Sequence, residues 1–183
     1  MNERERGFSM IEALVALAII LIGASVAIVQ MRSSLAVIDA DKTINLVSGQ
    51  LRYARQVAVD QRRNVFVEFV GADELRITRL DPASATTVMA DVSLPAGFTF
   101  AKPSGVGDTP DAYGDATPVY FNMSTNGIFQ ADGSFVDNTG LPANGSVFTM
   151  GNNLGSARAL TLAGATGRTK IFWLRGTNWT EKK

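Results

Sequence analysis

Apolar positions change pattern twice along this chain. From Ala13 to Met31 there are 19 consecutive residues without a charge. Phe8, Met10 and Ile11 extend that run upstream, and Glu12 is its only charged interruption. A stretch of about 20 apolar residues is long enough to cross a bilayer as a helix. After Arg32 the continuous run stops but helical spacing continues. Ile44, Val47, Leu51, Ala54 and Ala58 recur at intervals of three and four, one stripe of an amphipathic helix. Arg52, Arg55, Asp60 and Arg62 fall mostly off that stripe. No Pro occurs before Pro82, and only Gly23 and Gly49 interrupt. One helix from about Phe8 to Gln61 is therefore expected, roughly 80 Å long at about 1.5 Å per residue. No single-domain core needs such a rod. Its first half is expected to pack against other copies in a membrane or filament, and its second half on a globular head.

From Asn64 the period changes to two, the mark of strands. Asn64–Val70 and Glu74–Leu80 flank a turn at Gly71-Ala72-Asp73 and read as a hairpin. Val88–Leu94, Gly97–Ala101, Val119–Met123, Gly127–Gln130 and Ser146–Met150 are further strands. Ala157–Ala163 and Thr169–Leu174 form a closing hairpin around Gly164–Gly167. Between Lys102 and Pro118 lies a loop with three Pro, three Gly and three Asp, whose only large apolar or aromatic side chains are Val106 and Tyr113. A loop of that length is usually functional or mobile. The fold class is α+β: a long N-terminal helix packed on a β-rich head.

Composition narrows the chemistry. The 183 residues hold 17 basic and 17 acidic side chains, no His and no Cys. That removes disulfides, thiol nucleophiles, cysteine-ligated zinc, imidazole bases and the Ser-His-Asp triad. No residue is assigned a catalytic role, and no cofactor or metal is expected. Asp108, Asp111 and Asp115 lack EF-hand spacing and read as a solvated loop.

The N-terminal segment has three readings. Ser25-Val26-Ala27 would suit signal-peptidase cleavage, but the leader MNERERG carries two Glu against two Arg, and Glu12 interrupts the apolar run. A plain anchor explains the length but not Glu12, since a carboxylate at mid-membrane costs about 2.5–3.5 kcal/mol on insertion scales. The third reading covers the whole segment. Gly7-Phe8-Ser9-Met10-Ile11-Glu12, followed by ALVALAII, resembles the prepilin signal of type IV pilins and type II secretion pseudopilins. The resemblance implies cleavage by prepilin peptidase after Gly7, N-methylation of Phe8, and pairing of Glu12 with the N-terminal amine of a neighbouring subunit. Such pairing partly offsets two desolvation costs.

The helix-to-strand junction LRYARQVA, the segment DVSLPAGFTF, VYFNMSTNG and the closing hairpin are similar to GspH/FimT-type minor pilins. The resemblance divides the chain into a leader at 1–7, a membrane and assembly half-helix at 8–31, an amphipathic half at 32–62 and a head at 63–183. It implies a structural subunit of a type II secretion pseudopilus or a type IV pilus. Its partners would be prepilin peptidase, other pilins or pseudopilins, and the inner membrane, with the head in the periplasm. Two other roles stay open, a DNA-binding minor pilin for uptake and an adhesive subunit at a filament tip.

Zero net charge is an average. Pro82–Ala157 holds six acids and one base, whereas Arg158–Lys183 holds six bases and one acid. A solvated strand face and a charged terminus explain this plainly. The functional alternative is DNA contact. Gly167-Arg168-Thr169-Lys170 resembles the Gly-Arg-x-Arg element of FimT-type DNA-uptake pilins, with Lys in place of the second Arg. Arg168 and Lys170 would share one strand face and meet phosphates, with Trp173 or Trp179 as a stacking surface.

Overall fold

The computed structural model describes residues 9–182, with side chains of 26–34 outside the described set. The chain divides into two units, Met1–Ala36 and Val37–Lys183. A single helix, α1, is assigned over Met10–Gln61. In the first unit the Ser9 carbonyl accepts from the amides of Glu12 and Ala13 at 3.0 and 3.2 Å, opening the helix. Further along, Ser25 Oγ donates back to the Ile22 carbonyl at 2.7 Å.

In the second unit the predicted stripe is the buried face. Ile44, Val47, Leu51, Ala54 and Ala58 are sealed from solvent. The helix stops without a glycine. Arg62 adopts a left-handed φ of 51°, and the Arg63 amide returns to the Ala58 carbonyl at 3.1 Å. This is a Schellman-like turn that occupies an otherwise orphan carbonyl.

Among the described residues eleven strands follow. They are β1 (Val65–Val70), β2 (Glu74–Leu80), β3 (Thr86–Ser93), β4 (Thr99–Phe100), β5 (Val119–Phe121), β6 (Gly127–Phe129), β7 (Phe135–Val136), β8 (Gly145–Met150), β9 (Arg158–Ala163), β10 (Arg168–Arg175) and β11 (Asn178–Glu181). One sheet runs β3-β2-β1-β6-β7, the other β11-β10-β9-β8-β4, with β5 also on β8. Both expected hairpins are present. β1 and β2 pair from Val65↔Arg79 to Val70↔Glu74, and β9 and β10 pair from Ala163↔Arg168 to Arg158↔Trp173. Two short strands went unanticipated. β7 has two residues and β11 reads NWTE, too short or too polar to show alternation.

Both sheets share one core with α1. Val65, Ile77, Phe129 and Phe135 of the first sheet, and Val147, Leu160 and Leu162 of the second, join the helical stripe. Alternation sends the neighbouring side chains of the second sheet to its other face. There Phe148, Ala159, Phe172 and Trp179 form a second cluster with Val106 packed against it.

Val106 belongs to the long loop, which revises the expectation for that segment. The stretch Lys102–Pro118 closes over the second sheet. The Gly107 carbonyl accepts from Trp179 Nε1 at 3.0 Å. Asp111 accepts from Thr161 Oγ1 at 2.8 Å, and Lys102 Nζ sits 5.0 Å from the Phe148 ring centre. Asp108 folds the loop on itself, accepting from the amides of Thr109 and Gly114 at 2.7 Å each. The irregular segment is the lid of a small apolar layer. Its Asp residues serve as turn-makers and tethers.

Candidate functional site

In the first unit, Met10, Ile11, Leu14, Val15, Leu17 and the run Ile19–Ile22 are 54–83% exposed. An exposed apolar surface of this kind marks an interaction or membrane site. Glu12 lies in the first turn of α1 among those side chains. The expected processing residues, Gly7 and Phe8, lie outside the described residues. Among the described residues no helix is long and apolar enough to cross a membrane.

In the second unit, Arg158 holds helix and sheet together. Its guanidinium is 4% exposed and meets Asp41 Oδ1 at 2.6 Å through Nε. Its Nη1 donates to the carbonyls of Gly155 and Ala157 at 2.9 and 2.8 Å, and its Nη2 to that of Val37 at 3.4 Å. A charge this buried is tolerable only when its donors are matched. Arg158 is one of the six bases of the C-terminal segment, yet it is a structural fastener.

Arg168 and Lys170 are both exposed on β10, with Thr169 between them turned toward α1, its hydroxyl 3.4 Å from that of Ser48. Their electrostatic settings differ. Lys170 Nζ pairs with Asp111 at 2.8 Å, and this hydrogen bond raises the ammonium's pKa above its ordinary value. The ion pair spends part of the charge that a phosphate would meet. Arg168 forms no ion pair among the described residues. It borders two grooves, one with Asp111, Thr161 and Lys170, the other with Arg52 and Arg55 of α1.

Neither tryptophan is placed to stack a base beside Arg168 and Lys170. Trp179 is buried, its ring centre 5.5 Å from that of Phe148. Trp173 alternates onto the opposite face of β10, in step with Thr169 and Ile171. Its ring lies 5.8 Å from the Arg158 guanidinium and 5.7 Å from Lys182 Nζ. The aromatic part of the expected DNA surface is therefore absent from this face.

The residues that sequence reading missed are Arg52 and Arg55. Spaced i,i+3 and off the apolar stripe, they share one helix face. Nothing in the sequence indicated that Arg168 would reach the same groove. Among the described residues no cluster of three or more His, Cys, Asp or Glu is placed to hold a metal.

Comparison with known proteins bears on both units. The model of the prokaryotic N-terminal methylation motif matches residues 3–28. The fold is similar to that of the type IV minor pilin FimU of Pseudomonas aeruginosa, at 18% identity and a TM-score of 0.51, over 76% of this chain and 91% of that one. The fold is pilin-like. A comparison with curated protein sequences finds no match. An N-terminal helix with its apolar side chains outside precedes a head whose own core is closed by the second half of α1.

Proposed function

We propose that the chain is a minor pilin or pseudopilin, a non-enzymatic subunit that enters a filament through α1. The observation that carries this is the exposed apolar surface of Met10–Ile22 coinciding with the methylation motif at 3–28. On this reading prepilin peptidase cuts after Gly7 and Phe8 becomes the methylated N-terminus. The segment 8–31 holds the unassembled subunit in the inner membrane, with the head in the periplasm. Glu12 pairs with a neighbour's Phe8 amine, and the surrounding apolar side chains find partners on neighbouring subunits. Mass spectrometry of the mature protein is expected to give a methylated Phe8 start; a start at Ile28 would mean signal-peptidase cleavage and end the proposal. Glu12→Ala is expected to deplete the subunit from sheared filaments while leaving the head folded.

Pilus and pseudopilus are separated by phenotype. Loss of surface filaments in a deletion strain supports a pilus, and loss of a secreted protein with filaments intact supports a pseudopilus. A second reading, contact with DNA, is favoured by the exposed Arg168, whose charge no carboxylate offsets among the described residues. An electrophoretic mobility shift at low salt tests it, and no shift would remove it.

A further inference from the structure

The groove between α1 and the β9–β10 turn is lined by Arg52, Arg55 and Arg168 together with Gln56, Asp132 and Thr169, and encloses about 560 Å³. Three arginines line one space, and among the described residues none of them makes an ion pair. Arg76, Arg79, Arg158 and Lys170 each have a carboxylate partner. Asp132 is the acid on the rim. Its carboxylate accepts from the amide and hydroxyl of Ser134 at 2.9 and 2.6 Å, and the Ser134 hydroxyl holds its pKa below the ordinary value. It is oriented toward its own turn, and the formal charge of the lining remains positive.

Arg55 forms the floor, and two turns are shaped around it. Its Nε donates to the Gly133 carbonyl at 3.0 Å. Gly133 and Gly167 both have positive φ, +83° and +63°. A Cβ on Gly133 would lie 3.1 Å from Arg55 Nε, and one on Gly167 would lie 2.7 Å from the same atom. Glycine at these turns lets the backbone close on the guanidinium, holding it in place with its Nη edge unpaired among the described residues. A guanidinium fixed before binding loses less side-chain entropy when it meets a ligand.

We propose that this groove is an oxyanion site for a phosphate group, with Arg52, Arg55 and Arg168 as its donors. Guanidinium forks match the paired oxygens of a phosphate. The phosphate comes either from a nucleic-acid backbone or from a free phosphate or nucleotide. The site extends the DNA reading above and does not depend on it. It replaces Lys170, already paired, with two helical arginines.

The test uses the full chain in detergent micelles, a fluorescein-labelled single-stranded oligothymidylate read by anisotropy, and inorganic phosphate read by calorimetry. Arg52→Ala and Arg168→Ala are each expected to weaken binding about tenfold. Lys170→Ala is expected to change it less than about twofold. Arg55→Lys keeps the charge and loses the fork, and is expected to weaken binding while a thermal melt confirms the fold. One neutralised phosphate predicts a log–log salt slope of about −0.7 for the oligonucleotide, and a flatter slope in Arg52→Ala. Phosphate binding that Arg52→Ala weakens about tenfold, without oligonucleotide binding, supports the site and removes the DNA reading. Oligonucleotide binding that depends on Lys170 and ignores Arg52 overturns the site and leaves the DNA reading standing. Binding of neither phosphate probe overturns the site, as does capture of a poly-glutamate peptide alone.

Discussion

The two ends of α1 are built from the same kinds of residue with opposite outcomes. Between Met10 and Ile22 the large apolar side chains face outward, whereas Ile44, Val47, Leu51, Ala54 and Ala58 are buried to the last atom. Helix propensity does not separate them, since both stretches are rich in Ala, Leu, Ile and Val. Arrangement does. The second stretch keeps one stripe apolar and places Arg52 and Arg55 off it, which suits one flat partner, the sheets of the same chain. The first is apolar all round, and a helix of that kind needs surroundings that are apolar all round. One stretch completes a fold, and the other leaves its apolar surface open.

Four measurements sharpen or break this contrast. The largest effect is expected from Leu51→Ala, a cavity in the closed core costing about 2–5 kcal/mol of head stability in denaturant unfolding. Leu17→Ala, the same change in the first stretch, is expected to leave that transition where it was. Equal losses would mean that the two stretches are not separate in role.

Next is Asp41→Ala, which strands the Arg158 guanidinium. Breaking a fully buried pair costs about 3–5 kcal/mol, and about 2–3 is expected here because Asp41 is partly exposed. The variant should melt earlier, and Asp41→Ala combined with Arg158→Met should recover part of the loss.

Gly167→Ala follows, at about 1–2 kcal/mol, from a Cβ forced into positive φ and against Arg55. If the groove is built as described, this variant also displaces Arg55 and weakens phosphate binding.

The smallest effect is a pH dependence in the head alone. Hydrogen bonding, chiefly from the Thr139 hydroxyl, lowers the Asp137 carboxyl to about 2 from an ordinary 3.8. A lowered pKa means that the unfolded chain takes up the proton first. Its stabilising contribution is complete above about pH 4 and is lost as pH falls toward 2. Asp137→Asn should flatten the stability profile in that window; an unchanged slope would remove Asp137 from the account.

Much of the fold could be read locally. The 3-4 stripe from Ile44 to Ala58 marked the buried helix face, and period-two alternation with Gly-rich turns marked both hairpins. β11 escaped because Asn178–Glu181 has one apolar residue and gains its place only by pairing with β10. The Lys102–Pro118 segment looked like a free loop because its anchors, Val106, Gly107 and Asp111, are single residues whose partners lie far along the chain. The candidate site was half legible. Arg168 stood out through its four-residue motif, but its companions did not, and the anticipated Trp173 lies on the other side of the strand.

The sequence by itself determined where apolar surface had to be hidden. It set an all-round apolar segment around Glu12, a one-sided helix and alternating strands, because these follow from periods of 3.6 and 2 and from the cost of wetting hydrocarbon. Tertiary structure decided which charges meet. Asp41 with Arg158, Asp111 with Lys170, and Arg55 with two turn glycines are juxtapositions of residues 59 to 117 positions apart for the ion pairs. Coulombic and hydrogen-bonding energies depend on distances of a few ångströms, and only the folded chain fixes those.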